Sequence, residues 1–288
     1  MLELMLTFLN GVGRGLLLFT MAAGLSLLFG LMNVLNLAHG ALLLMGGYIA
    51  VSLTVRLGGD GILTAAPLAV IIGCLLGIAL FAAVRPLVNR GHLDQGLLTL
   101  GFAFIFADVA KMLWGHDVFL PEAPESLSGS VEILGQAYPA YRLAVIVVGL
   151  VVAGAVFYIF EKTRLGAIVR AAVSDREMVA ALGFRVSLIT GAVFAGAAAL
   201  AAFGGVIGAP VLGVRPGLDT EMLILALVVI VLGGLGSLKG ALIGALVIGQ
   251  VQTLGAALLP SVSSFLLFGV MALVLLFKPA GLFGGVAR

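Results

Sequence analysis

The chain has 288 residues, of which 62% are hydrophobic and only 10% are charged. Soluble domains carry about 25% charged residues, so this composition excludes a water-soluble globule and predicts an integral membrane protein. The formal net charge of +2 is too small for nucleic-acid binding as a main role. The single cysteine, Cys74, excludes an internal disulfide and a zinc site built on several thiolates.

Nine apolar windows follow one another along the chain, each close to the length of about 20 residues that a helix needs to cross a bilayer. The first is interpreted as a span rather than a cleavable signal, because the opening MLELMLTF carries Glu3 and no basic residue. The predicted spans are 11–31, 36–56, 62–84, 95–113, 143–160, 186–208, 221–237, 240–257 and 263–278.

These windows predict an all-α polytopic membrane protein with a single transmembrane domain over residues 1–288. We expect a bundle of about nine (8–10) transmembrane helices with a short cytoplasmic helix, and one of the last four spans could be re-entrant. Glycines at four-residue spacing indicate that the helices pack closely. They are Gly73/Gly77, Gly204/Gly208 and the run Gly236/Gly240/Gly244.

The distribution of Lys and Arg predicts the orientation, because cytoplasmic loops carry an excess of basic residues. If residues 161–185 are cytoplasmic, ten Lys and Arg residues lie inside and five lie outside or at the outer rim. The acidic residues Asp117, Glu122, Glu125 and Glu132 share one long outer loop, 114–142. The amino terminus is therefore expected outside and the carboxyl terminus in the cytoplasm.

The sequence carries no motif of an enzyme. No Lys follows a glycine, so a Walker A loop for ATP is absent, and neither HExxH nor a His pair at metal-ligand spacing occurs. No nucleophile is accompanied by a base. Transport remains as the function class, and we expect this chain itself to hold no catalytic residue, metal or cofactor.

A polar interruption near the start of the second span, GLMNVLNLAHGALLLMGGY (residues 30–48), is the first candidate site. Asn33, Asn36 and His39 recur every three residues and would form one polar stripe on a helix, with Gly40 directly after them. Interrupted spans with polar groups at membrane depth are typical of transport pathways. The alternative is that these residues only join two spans at the cytoplasmic surface. A second break, LGGLGSLKG at residues 232–240, is weakly similar and could reflect an internal repeat.

The polar segment 161–185, EKTRLGAIVRAAVSDREMVAALGFR, is the second candidate site. Ser174 and Glu177 have the spacing of a capping box, which predicts a short helix that begins at Ser174. Gly183 suits the left-handed position that ends a helix. A helix of two turns is not stable alone in water, so it needs a surface to dock on. That surface is either a cytoplasmic partner, which we favour, or the membrane interface.

Three stretches of this chain resemble the inner-membrane permeases of branched-chain amino-acid ABC importers. NVLNLAHG followed by GGY is similar to a signature of that family. RAAVSDREMVAALGF is similar to the family's coupling motif, which docks into a cleft on the ATPase subunit, and VIVLGGLGSLKGALIGALVIG matches a third stretch. The resemblance covers much of residues 30–250 in the expected order, and the length fits the shorter, LivH-like permease subunit.

This resemblance implies an ATP-driven importer in the bacterial inner (plasma) membrane. A second permease subunit would form a heterodimer with this chain, two ATP-binding subunits would bind and hydrolyse ATP, and a periplasmic binding protein would deliver the substrate. The residues implied near the substrate pathway are Asn33, Asn36, His39 and Gly40. Those implied in coupling to the ATPase are Arg170, Ser174, Asp175, Glu177 and Gly183.

The chain also departs from the family pattern. Ala41 stands where many members carry Glu after the AHG, and Ala83 and Val84 precede the Arg-Pro pair where bulkier residues are expected. These departures weaken any assignment of the substrate, and a urea or short-chain amide permease of the same family is an alternative. An ion-coupled secondary transporter acting alone is an alternative of another class, but the spans lack the mid-membrane charge that ion coupling usually needs.

Overall fold

A computed structural model describes residues 2–31, 34–87, 91–133 and 135–283. Within these ranges the chain forms eleven α-helices and one two-stranded antiparallel hairpin. The helices are α1 (Leu2–Ser26), α2 (His39–Leu57), α3 (Gly61–Val84), α4 (His92–Trp114), α5 (Ala140–Phe157), α6 (Arg164–Ser174), α7 (Arg176–Ala181), α8 (Val186–Leu212), α9 (Leu218–Gly233), α10 (Leu238–Leu258) and α11 (Ser263–Phe277). The strands are β1 (Ser130–Ile133) and β2 (Gln136–Pro139), and π-helical turns extend α1 (Leu27–Leu31) and α5 (Tyr158–Lys162).

The prediction of an all-α polytopic membrane protein is confirmed. Six segments of the described chain are long and apolar enough to cross a membrane, and one of them, His39–Leu87, contains both α2 and α3. The nine predicted spans correspond in order to α1–α5 and α8–α11. The count of nine is approximate, because α9 has 16 residues and α11 has 15. At 1.5 Å per residue, each is shorter than the roughly 30 Å of hydrocarbon.

Helix α1 begins at Leu2, earlier than the predicted start at residue 11. Glu3 lies in its first turn, where a carboxylate is favourable beside the positive end of the helix dipole. Leu4 and Phe8 in this extension are exposed. The apolar window located the spanning part, but the helix extends beyond it because its first turns need not be apolar on every face.

The centre of the molecule is α2, which packs against α3, α4, α8 and α9. Its residues are buried almost continuously from His39 to Val51. Helices α3, α4, α5 and α11 instead present large apolar side chains outward, such as Leu75, Phe104, Val151 and Leu276. Such surfaces fit a lipid environment, where outward apolar groups need no cover.

Close helix packing through glycine, as the four-residue spacings predict, is confirmed at α3 and α8. A Cβ atom built on Gly73 would lie 2.9 Å from the carbonyl oxygen of Ala198, and one on Gly77 would lie 2.7 Å from that of Phe194. The pair α1 and α10 meets in the same way, since a Cβ on Gly15 would lie 2.8 Å from the carbonyl oxygen of Ala245. Only a glycine allows these backbones to come so close.

The predicted outer loop 114–142 contains the β-hairpin, which a purely helical interpretation missed. Ser130 pairs with Pro139 and Ile133 with Gln136, and Gly135 has a φ of 85° in the connecting turn. Each strand has only four residues, too few for a clear alternation of apolar residues. Phe119 and Val214 exchange two backbone hydrogen bonds of 2.8 and 2.7 Å, which tie this loop to the connection between α8 and α9.

Candidate functional site

The polar interruption forms a non-helical break rather than a stripe on one helix. Residues 34–38 are not helical and precede α2, so Asn36 and His39 do not lie on one helix as predicted. The side-chain oxygen of Asn36 accepts a hydrogen bond of 3.1 Å from the backbone N–H of Ala38. Such local bonds let Asn compete with helix formation. Asn33 itself lies outside the described residues.

Thr99 of α4 satisfies the backbone of this break, and the sequence analysis did not identify it. Its hydroxyl oxygen accepts a bond of 3.0 Å from the N–H of Leu37, while the hydroxyl proton has its nearest acceptor in α4 itself, the carbonyl oxygen of Gln95 at 2.9 Å. The side chain is buried, so the bond to Leu37 replaces one that water would otherwise supply. The break is therefore a defined part of the fold, stabilised by a side chain of the neighbouring helix α4.

His39 begins α2 and faces α1. Its Nε2 lies 3.1 Å from the carbonyl oxygen of Met21, so Nε2 carries the donated proton, while Nδ1 has no hydrogen-bond partner among the described residues. The ring packs over Gly24, on which a Cβ atom would lie 3.0 Å from Nε2. The side chain is fully buried. His39 thus joins α1 to α2 in this conformation.

Gly40 is packed against the backbone of α9. A Cβ atom on Gly40 would overlap the carbonyl oxygen of Asp219 and lie 3.0 Å from Cβ of Leu223. None of Asn36, His39 and Gly40 lines the cavity of about 230 Å³ found at the other end of the bundle. The described residues of the first candidate site therefore make packing contacts and hydrogen bonds to the backbone, and their place near a pathway stays a prediction.

The two glycine-containing breaks of the sequence meet in space. A Cβ atom on Gly236, between α9 and α10, would lie 2.9 Å from Cα of Gly30. Ser237 caps the start of α10, since its hydroxyl oxygen accepts a hydrogen bond of 3.0 Å from the N–H of Gly240. The backbone N–H groups of Leu282 and Phe283 cap the end of α9 by donating to carbonyl oxygens at 2.8 and 2.9 Å. Both breaks thus lie at one end of the helix bundle.

The second candidate site, residues 161–185, begins with α6. The Thr163 hydroxyl accepts a hydrogen bond of 3.3 Å from the N–H of Gly166 and so caps the start of this helix. The Arg170 guanidinium donates to the carbonyl oxygen of Phe160 in the preceding π-helical turn. Lys239 and Glu161 form an ion pair of 3.3 Å between the start of α10 and this segment. The segment therefore lies at the same end of the bundle as the two breaks.

The short helix α7 begins one residue later than the capping box predicts. Asp175 is the N-cap, since its carboxylate accepts a hydrogen bond of 2.8 Å from the N–H of Met178, whereas Ser174 is the last residue of α6. Asp175 has extended backbone angles, φ −152° and ψ 97°, which place the corner between α6 and α7 at this residue. The S-x-x-E spacing located the helix correctly but assigned the cap to the wrong one of two adjacent capping residues.

The end of α7 agrees with the prediction for Gly183, whose φ is 86°. The N–H of Gly183 donates to Ala180 and that of Phe184 to Val179, at 3.0 and 3.3 Å, which is the Schellman pattern. Val179 is buried, but Met178 and Leu182 are 57% and 68% exposed. Glu177 is exposed on the same short helix. Both ends of α7 are fixed, and it presents apolar side chains outward.

A cavity of about 230 Å³ lies at the opposite end of the bundle, beside the hairpin. Its polar lining comes from Asn10 and Arg14 of α1, Tyr138 of β2, Arg142 of α5 and Thr253 of α10. Asn10 Oδ1 accepts hydrogen bonds of 2.9 Å from both the Tyr138 hydroxyl and the Arg142 guanidinium. Burial raises the pKa of Tyr138, against a smaller opposing effect of the Arg142 charge.

Arg14 is one of the five basic residues expected outside or at the outer rim, yet it lies within the first apolar span, 11–31. An arginine inside a span is a signal of function, and this signal was available from the sequence. The charge of Glu221 attracts Arg14 and that of Arg215 repels it. Glu221 is in turn bound by Arg215 in an ion pair of 2.6 Å.

This fold defines the chain as a multi-pass helical membrane protein. Two broken segments are in contact, and a short capped helix, α7, lies outside the bundle. The chain belongs to the family of permease components of branched-chain amino acid transport systems, whose sequence model matches residues 7–275. It is thus a member of a transport permease family.

Curated relatives match along nearly the whole chain. The high-affinity branched-chain amino acid transport system permease protein BraD of Pseudomonas aeruginosa is 30% identical, over 96% of this chain and 94% of the relative. The permease protein LivH of Salmonella typhimurium is 28% identical with the same coverage. A probable LivH permease of Methanocaldococcus jannaschii is 25% identical, over 93% and 89%. No solved structure matches significantly.

Proposed function

We propose that this chain is the membrane-spanning subunit of an ATP-driven importer that moves branched-chain or other hydrophobic amino acids across the bacterial inner membrane. The observation that carries the proposal is α7, a helix of six residues fixed at both ends and exposing apolar side chains, in a chain of this permease family. A soluble ATPase offers the docking surface that so short a helix needs.

The orientation in this proposal has the amino terminus outside and the carboxyl terminus in the cytoplasm. It is supported by the ten Lys and Arg residues assigned to the side of segment 161–185, against five on the other. The hairpin and its acidic loop then face the periplasm, where a substrate-binding protein would dock. The partners proposed are that protein, a second permease subunit and two ATP-binding subunits.

Coupling is proposed to run through α6 and α7. Met178 and Leu182 would enter a cleft on the ATPase, and Asp175 and Gly183 would hold α7 in shape. Arg170 would transmit the motion, since it links α6 to the end of α5 through Phe160. Closure of the ATPase pair on binding ATP would move α7 and turn the substrate cavity outward, and hydrolysis would reset it. Ser174 and Glu177 belong to the same proposed surface.

The substrate pathway is proposed to pass close to Asn33, Asn36, His39 and Gly40, around the polar break and the start of α2. Contact of the second break, at Gly236, with Gly30 in the π-helical turn that precedes the first break supports the proposal, because broken segments in contact are typical of transporter sites. Asn36→Leu should reduce uptake while the chain still assembles with its partners. Asn36→Asp, which keeps the acceptor for Ala38, is the matched control. Unchanged uptake by Asn36→Leu would remove Asn36 from the pathway.

The test of the main proposal begins with gentle purification from native membranes and mass spectrometry of the bound subunits. The purified assembly is then placed in proteoliposomes, and uptake of radiolabelled leucine is measured with ATP and with a non-hydrolysable analogue. We expect a second permease, ATP-binding subunits and uptake only with hydrolysable ATP. Uptake by this chain alone without ATP would contradict the proposal and favour a secondary transporter. Competition by urea or acetamide, but not by valine, would assign the amide substrate class instead.

A further inference from the structure

The cavity beside the hairpin combines two cationic side chains with an apolar wall. Arg14 and Arg142 contribute the charge, and both line the same space of about 230 Å³. Leu17, Val145 and Leu212 form apolar parts of its wall. None of the described residues that line it is acidic. The buried part of the Arg14 guanidinium is costly unless an acceptor compensates it, and the exposed Arg142 adds a second positive charge at the mouth of the cavity.

The internal contacts of the site leave donors available. Arg142 donates through one nitrogen to Asn10 Oδ1, and Nε of Arg14 is buried without a hydrogen-bond partner among the described residues. A guanidinium has five N–H donors, so both side chains have capacity for a further acceptor. Glu221 attracts Arg14, but its carboxylate is already held by Arg215 at 2.6 Å.

From this geometry we propose that the cavity binds the carboxylate group of a small molecule with an apolar side chain. Guanidinium groups match the planar, two-oxygen geometry of a carboxylate, while the apolar wall receives the side chain. On the proposed function, on which this inference rests, the ligand is the hydrophobic amino acid, with its ammonium group directed toward the open side of the cavity. The site lies at the end of the bundle away from α7, where the substrate would first reach this subunit.

An anionic lipid headgroup offers related chemistry, because a phosphate also pairs with arginine. The cavity favours the small carboxylate, since its volume of about 230 Å³, lined by four helices (α1, α5, α8 and α10) and the hairpin, has its own apolar wall for one short side chain. A lipid would place only its headgroup there, and the apolar wall would then face a polar group. The experiment separates these two sources.

The test uses the full chain purified with the subunits that accompany it, without the soluble binding protein. Its thermal-unfolding midpoint is measured against the concentration of three probes: L-leucine, 4-methylpentanoate, which lacks the ammonium group, and L-leucinamide, which lacks the carboxylate. Ligands that bind the folded state raise the midpoint. We expect L-leucine and 4-methylpentanoate to raise it and L-leucinamide to have no effect.

Arg142→Gln is the main variant, because Arg142 is exposed and we expect the bundle to fold without its charge. A charged hydrogen bond contributes about 1.5–3 kcal/mol, so the apparent affinity for 4-methylpentanoate should fall at least about tenfold. Arg56→Gln removes an exposed charge at the end of α2 and should leave the response unchanged. Arg14→Gln is the second variant and should abolish the response if the chain still folds.

Several outcomes would overturn the inference. They are an equal response to L-leucinamide, an unchanged response in Arg142→Gln, or no response of the wild-type chain to either carboxylate. An anionic lipid that copurifies with the wild type and is lost in Arg142→Gln, without any effect of L-leucine, would assign the cavity to lipid. ATP-driven leucine uptake by the wild-type assembly would leave the proposed function standing in each of these cases.

Discussion

At the scale of single residues, the hydroxyl of Thr99 shows how a break can be kept inside a membrane helix bundle. The N–H of Leu37 lies outside any helix, and Thr99 accepts its hydrogen bond at 3.0 Å from α4. In lipid no water replaces such a bond, so a missing acceptor leaves a buried donor unsatisfied. The conformation of the break before α2 therefore depends on a side chain of another helix.

Thr99→Val is expected to destabilise the folded chain by about 1–3 kcal/mol, because it removes the acceptor for Leu37 and keeps the shape of the side chain. Thr99→Ser keeps the hydroxyl and loses one methyl group, so it should cost less. The measurement is the thermal-unfolding midpoint of both purified variants beside the wild type in the same detergent. A valine variant as stable as the serine variant would show that this hydrogen bond has no net effect.

Sequence reasoning reached the residues whose partners are close along the chain. Gly183 was predictable because a glycine just after the last residues of a helix commonly takes the positive φ that ends it. Thr99 was not, since its partner lies 62 residues away and nothing in its own segment distinguishes it from other buried threonines. His39 was identified as polar within an apolar stretch, but its contact with Met21 follows from the packing of α1 against α2.

At the scale of elements, α7 is a short helix whose stability depends on its two ends. Its six residues form fewer than two turns, which is too short for a helix to persist by its own backbone bonds. The Asp175 carboxylate caps the start, and Gly183 with Phe184 closes the end. Helix α6 ends at Ser174 and α7 begins at Arg176. From the sequence alone, Ser174 and Asp175 were both possible caps, and the backbone angles assign the cap to Asp175.

Asp175→Ala is expected to weaken α7 by about 1 kcal/mol, because it removes the acceptor for the N–H of Met178. Asp175→Asn keeps an equally good capping side chain and should behave like the wild type. Ser174→Ala should also leave the stability of α7 nearly unchanged, since Ser174 is the last residue of α6 and not the cap of α7. Hydrogen exchange of the α7 amides in the purified assembly measures the difference. Faster exchange in Ser174→Ala than in Asp175→Ala would show that Ser174, not Asp175, is the cap.

Gly183→Val is expected to uncouple ATP hydrolysis from transport while the chain still assembles. The φ of 86° disfavours a β-branched residue, and no atom lies within 4 Å of a Cβ at this position, so the effect is one of backbone conformation rather than of collision. Gly183→Asn is the matched control, because Asn tolerates the left-handed region. Leucine uptake and ATPase activity are measured together in proteoliposomes. Normal uptake by Gly183→Val would argue against a coupling role for the end of α7.

At the scale of the whole molecule, polar features gather at the two ends of an apolar bundle. The breaks at Gly30 and Gly236 and the pair Lys239–Glu161 lie at one end. The hairpin and the cavity with Arg142 lie at the other. Sequence windows predicted the order of the spans, because hydropathy is a local property. They could not predict which helices meet, since the central position of α2 follows from glycine contacts between segments far apart in the chain.

This arrangement gives a test of the orientation of the whole chain. In a background where Cys74 is replaced by Ala, a Ser128→Cys variant carries its thiol in the exposed loop beside the hairpin. A Glu177→Cys variant carries it on the exposed surface of α7, at the opposite end. With the amino terminus outside, a membrane-impermeant maleimide should label Ser128→Cys in cells whose inner membrane is intact. It should label Glu177→Cys only after that membrane is opened.

The two variants control each other, because each contains one cysteine and both are labelled when the membrane is open to the reagent. The reverse result, with Glu177→Cys labelled first, would place α7 outside the cell. An ATPase in the cytoplasm could not then reach α7, and the coupling proposal would fail together with the orientation. The excess of basic residues around α7 favours the expected result, since positively charged loops are retained on the cytoplasmic side during insertion.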